Sequence, residues 1–136
     1  MTTYANSIKN TKEYLKLWYE DIDEWPQRWA GNEEDIIIGL RLMDEFKTYL
    51  LALVAQGRKK KTVKKHADYL WGLGGEIIRD TNENGVSPNL SSSEILLLYV
   101  NALGGPYWRH AYNDKDRQQY DGICRQLYKY ISQKQL

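Results

Sequence analysis

The sequence predicts an all-α, single-domain bundle of about five helices. Three observations carry that prediction. Apolar residues recur at three- and four-residue intervals along most of the chain, the spacing of one buried helix face. Helix-capping residues stand before those runs and glycines follow them. No segment alternates apolar and polar residues long enough to make a strand. At 136 residues the chain is one module, and 42% hydrophobic residues suffice to build a core.

Taken in order, Ile8, Thr11, Leu15, Trp18 and Ile22 predict a first helix over about residues 7–21. Pro26 biases Trp25 toward extended geometry, so residues 25–32 read as a connector that packs aromatics. Asn32 followed by Glu33, Glu34 and Asp35 is a strong helix start, because the Asn side chain caps free amides and the acids meet the positive helix end. A second helix over about 33–56 follows, with Ile36, Leu40, Met43, Phe46, Tyr49, Leu50, Leu53 and Val54 as its buried stripe and Gly57 as its left-handed terminator. Thr62 reads as the cap of a third helix over about 63–80, with Val63, His66 or Ala67, Leu70, Leu73, Ile77 and Ile78 inside. Gly72, Gly74 and Gly75 interrupt it; each costs about 1 kcal/mol relative to Ala in a helix interior, so they mark a bend or a close approach by a neighbour. Ser91 and Glu94 form a capping-box signature for a fourth helix over 92–103, stopped by Gly104, Gly105 and Pro106. Asn113 and Asp114 open a fifth over about 114–133, with Tyr120, Ile123, Cys124, Leu127 and Ile131 on one face.

The catalytic inventory is thin, and the chain reads as a non-enzyme without cofactor or metal. One cysteine, Cys124, and two histidines, His66 and His110, match no metal-ligand spacing. Cys124 shares the apolar face of Ile123 and Leu127 and reads as a buried, inert thiol. Glu76, Asp80 and Glu83 surround Arg79 at helical spacings, which reads as an ion-pair face before an acid/base pair. The apolar, uncharged stretch at residues 48–57, like the longest uncharged stretch at residues 95–108, is short of the roughly 20 residues a membrane span needs, and residues 1–10 lack the apolar run of a signal peptide. With a lone cysteine, the expectation is a cytoplasmic protein without a membrane partner.

Net charge is only +1, yet its distribution is uneven. Residues 20–35 carry seven acids against Arg28 alone, whereas Arg58, Lys59, Lys60, Lys61, Lys64 and Lys65 crowd eight residues without an acid. Cations at a helix start oppose its dipole by about 0.3–1 kcal/mol each when exposed. A phosphate would meet those side chains together with the free amides that follow Thr62, although a merely solvated lysine loop, or in a eukaryote a nuclear-localisation run, has the same composition. Five Trp and eleven Tyr against a single Phe favour half-buried aromatic positions. Trp25, Trp29, Tyr107, Trp108 and Tyr112 fall in the expected connectors, where loop-pinning is the favoured reading and a docking surface for a partner or for nucleotide bases the other.

The stretch from Phe46 to Leu70, with a helix ending at Gly57, a basic link of five residues, Thr62 as cap and an apolar Leu70, resembles the core-binding, SAM-like helical domain of tyrosine recombinases and phage integrases. That resemblance spans about 25 of 136 residues and implies DNA-backbone contacts from Lys59 to Lys65. It does not bring the recombinase chemistry, because neither His66 nor His110 has an Arg three residues on and the catalytic domain is missing. The runs Leu70–Arg79 and Cys124–Tyr128 are similar to short uncharacterised bacterial proteins. The expected function is therefore a DNA-binding module gripping duplex backbone with the basic loop and the start of the third helix. The alternative is a protein-interaction module: an antitoxin-like partner, a mobile-element inhibitor, a small subunit of a larger complex, or a self-associating chain in which the acidic block meets the basic one.

Overall fold

The computed structural model describes residues 12–134. Five α-helices carry the chain, α1 (Trp25–Trp29), α2 (Glu33–Ala55), α3 (Lys60–Asn84), α4 (Ser92–Leu97) and α5 (Asp114–Lys134), preceded by 3₁₀ helices at Lys12–Leu17 and Ile22–Glu24. No strand occurs among the described residues; an isolated bridge between Asn101 and Gly104 is the sole extended pairing there. The fold is thus the all-α bundle the periodicity implies.

Helices α2 and α3 form its axis. α2 packs against α1, α3, α4 and the first 3₁₀ helix, and α5 closes the other side of α3. Phe46, Leu42 and Leu50 of α2 meet Leu70, Leu73 and Ile77 of α3, with Tyr120 and Leu127 of α5; all are 0–1% exposed. Each such side chain contributes about 1.5–3 kcal/mol by leaving water. The predicted α2 stripe is inside at Met43, Phe46, Tyr49, Leu50 and Leu53, half-buried at Ile36 and Val54, and wrong at Leu40, which is 58% exposed while Leu42 takes the core position. Gly57, at φ +81°, ends α2 in a Schellman motif: its amide donates to Val54 O and the Arg58 amide to Leu53 O.

Four expectations need correction. The first helix over 7–21 is, within the described residues, a 3₁₀ helix at Lys12–Leu17 followed by a bend; Ile8 and Thr11 lie outside the described residues. Leu15 and Ile22 are still buried, as two turns of helix would have placed them. The connector over 25–32 contains α1, because Pro26 stands in its first turn, where a missing N–H is harmless. Thr62 is not a cap: Lys59 is, with extended backbone and a carbonyl that accepts from Val63, so α3 begins at Lys60 and the link between α2 and α3 is residues 56–59. The fourth helix stops at Leu97 instead of 103, since Asn101 Oδ1 accepts from the Leu103 amide and offers the backbone an alternative to helix, and Gly104 has φ +144°.

The glycine run lies within α3, which continues to Asn84, and it marks close approaches. A Cβ at Gly74 would stand 2.2 Å from the Trp29 ring, and one at Gly72 would stand 2.7 Å from Trp108 Nε1. The close neighbours are therefore two indoles, one on each side of α3. Trp29 is held further by its Nε1, which donates to Trp71 O at 3.0 Å. Arg41 of α2 donates to the carbonyls of Pro88 and Leu90, fastening the long loop after α3.

Candidate nucleic-acid interface

Six cations decorate the first two turns of α3 and the residues before it. Arg58, Lys59, Lys60, Lys61, Lys64 and Lys65 are all exposed, and none makes an ion pair among the described residues. Thr62 is half-buried and Val63 is buried, so the helix turns its apolar side inward there while the cations point to solvent. No side chain caps α3 and no acid occupies its first turn. The amides of Lys60, Lys61 and Thr62 are the unpaired donors at a helix start. They lie one turn earlier than the sequence placed them.

The acids of residues 20–35 are engaged elsewhere. Arg28 pairs with Asp21 at 3.4 Å and Glu24 at 3.6 Å. Asp23 meets Lys16 and Lys47, and those bonds hold its carboxyl below the usual range. Asp35 accepts from the amides of Gly31 and Asn32 and from Asn82 Nδ2, closing the capping box of α2. Lys60 and Lys64 do share a groove with Glu20, Asp21 and Asp68, without an ion pair across it. Asp68 there accepts the Tyr19 hydroxyl at 2.5 Å.

The basic end reaches into the core through His66. Its ring lies 3.0 Å from the Tyr49 hydroxyl at Nδ1 and is 5% exposed. Burial, then the charges of Arg58 and Lys65, lower its pKa to about 4, so it is neutral at physiological pH. Cys124 is buried and its thiol is pushed up to about 12, chiefly by burial, which leaves no thiolate for nucleophilic chemistry. No cluster of three metal-ligating side chains occurs among the described residues, and no helix is long and apolar enough to cross a membrane. Glu76 binds Arg79 and Arg109, at 3.4 and 3.1 Å, and Asp80 accepts from Tyr99 at 2.6 Å, so these carboxylates are structural ties.

The five aromatics separate into two groups. Trp25 is fully buried and offers no surface; Trp29 and Trp108 are wedged against Gly74 and Gly72, with Trp108 also stacked on Tyr120 at 5.0 Å. Tyr107 and Tyr112 are 68% and 82% exposed, the former under the Arg117 guanidinium. Missed by the sequence reading is a cleft of about 330 Å³ along the outer side of α3, lined by Trp29, Trp71, Gly75, Arg79 and His110 among others. The signal for it was present: Trp71 falls on the polar face of α3 beside the glycines. No family model, curated protein or solved structure matches the chain, so its functional reading rests on its own residues.

Proposed function

We propose that this chain is a non-enzymatic DNA-binding module that lays the start of α3 against the backbone of a duplex. The carrying observation is the row of six exposed, unpaired cations around a helix start that has no side-chain cap. Phosphate oxygens satisfy both halves of that arrangement, the ammonium groups by charge and the amides of residues 60–62 by hydrogen bonding. The short link at residues 56–59, held by the Schellman motif, makes this edge firm rather than a floppy tail. Backbone contact without base contact implies little sequence discrimination.

A titration of a mixed-sequence duplex at several salt concentrations tests the reading. If four to six cations each neutralise a phosphate, the log–log slope is about −4 to −5. Replacing Lys59, Lys60 and Lys61 with Glu flattens that slope and lowers affinity by at least a hundredfold while the circular dichroism spectrum is retained. A flat salt response of the wild-type chain overturns the proposal.

A second reading, docking of a protein partner or a second copy, draws on a different place. Leu98 and Leu103 are 61% and 86% exposed, and the Leu103 carbonyl accepts from Arg125, which lines a shallow depression with Ala102, Tyr128 and Lys129. Light scattering checks the self-association form: a stable dimer that Leu103→Lys converts to monomer favours it, and a monomer at all concentrations removes it.

A further inference from the structure

We infer that the cleft beside Trp71 receives one unpaired base of a nucleic-acid strand whose phosphates lie on Lys61, Lys64 and Lys65. This inference rests on the DNA-binding reading and narrows it to a duplex carrying an unpaired nucleotide. At 100° per residue, Lys61, Lys64, Lys65, Trp71, Gly75 and Arg79 fall within about 120° of one another on α3. Cations and cleft are thus on one face of one continuous helix. Seven residues separate Lys64 from Trp71, about 10 Å along the axis.

The cleft has the parts a base needs. Trp71 is 40% exposed although it stands mid-helix, and its indole is a ready stacking surface; bases stack on such rings whatever their identity. Trp29 forms the facing wall, fixed by its bond to Trp71 O. A volume of about 330 Å³ is at the small end of ligand sites, adequate for a single planar ring system. Of the three acids at the cleft, Asp35 is engaged by backbone amides and Asn82 and Glu76 by Arg79 and Arg109, while Glu83 is exposed at the rim.

Gly75 adds an independent argument. Gly72 and Gly74 are required by the indoles packed on them, but a Cβ at Gly75 would meet only Trp29, at an ordinary 3.6 Å. Packing therefore tolerates alanine there, and alanine is the better helix former. Glycine at this place keeps the wall of the cleft low. An ion pair at 3.4 Å between Asp21, in the groove that holds Lys60 and Lys64, and Arg28, in the cleft, ties the two walls together.

The test compares three labelled probes by fluorescence anisotropy at fixed salt: a paired duplex, the same duplex with a one-base bulge, and the same duplex with a short single-stranded overhang. Bulge and overhang bind about tenfold tighter than the paired duplex. Trp71→Ala and Gly75→Leu each bring that ratio to about one and leave paired-duplex affinity unchanged. A cooperative thermal melt of each variant guards against loss of fold as the cause. Equal affinity of the wild type for all three probes overturns the inference and leaves the duplex reading standing. Loss of paired-duplex binding in Trp71→Ala also overturns it, since Trp71 is then a general contact. Absence of binding to every probe removes both readings together. A free nucleoside monophosphate that quenches Trp71 emission, with no preference for the bulge, overturns it in favour of a small-molecule site.

Discussion

The starts of α2 and α3 are built from opposite choices. At α2, Asn32 accepts from the Asp35 amide, Asp35 answers to the Asn32 amide, and three acids fill the first turn. At α3, Lys59 caps without a side-chain bond, and Lys60 and Lys61 occupy the first turn. One arrangement satisfies the free amides and the dipole internally; the other leaves both open and adds like charges. A chain able to build the first, and to build it again with Ser91 and Glu94 at α4, has not done so at α3. That difference is the observation on which the DNA-binding proposal rests.

Experiments on the two starts sharpen this contrast. The largest effect is expected at His66, where the basic end lies over the core. Its pKa of about 4 in the folded chain, against about 6.5 unfolded, means that the unfolded chain binds the extra proton more readily. The stability carried by the neutral ring is fully present above pH 6.5 and is lost as pH falls toward 4, by about 3 kcal/mol. Urea midpoints measured between pH 7 and 4 check this; His66→Gln shows a shallower decline, and identical pH profiles for the two chains refute it.

Next comes the α2 start. Asp35→Ala strands the amides of Gly31 and Asn32 and the Asn82 side chain, and lowers stability by about 2 kcal/mol, read from urea unfolding. The smallest effect has the opposite sign. Lys60→Glu with Lys61→Glu places acids in the first turn of α3 and raises stability by about 1 kcal/mol, while the same pair weakens DNA binding. A double variant that is both less stable and weaker in binding breaks the contrast, for the lysines would then be part of the scaffold.

How much of this was legible in the sequence follows from the range over which each signal acts. The α2 start and the α4 capping box are local, three residues across, and both stand where the pattern put them. The buried face of α5, from Tyr120 to Ile131, is a one-helix property and was also legible. The basic block was visible as composition, but its first helical residue was not, because a lysine with extended backbone caps by geometry and carries no side-chain signature. Pro26 was read as a breaker where it is a first-turn residue. The glycines showed that something approaches α3 closely; that Trp29 and Trp108 do so depends on contacts 45 and 36 positions apart in the chain, which no periodicity encodes. The cleft beside Trp71 was legible only in part, through an indole on the polar face of α3; its facing wall, Trp29, again comes from a distant part of the chain.

The seat of Trp29 on Gly74 has a historical consequence. With 2.2 Å available for a Cβ, alanine at position 74 collides with the ring, and a smaller residue at position 29 leaves a hole beside α3. Neither partner drifts freely alone. Descendants of this chain should therefore exchange the two positions in concert or keep both, and a lineage that swaps the indole for a compact side chain has reason to fill position 74 in the same step.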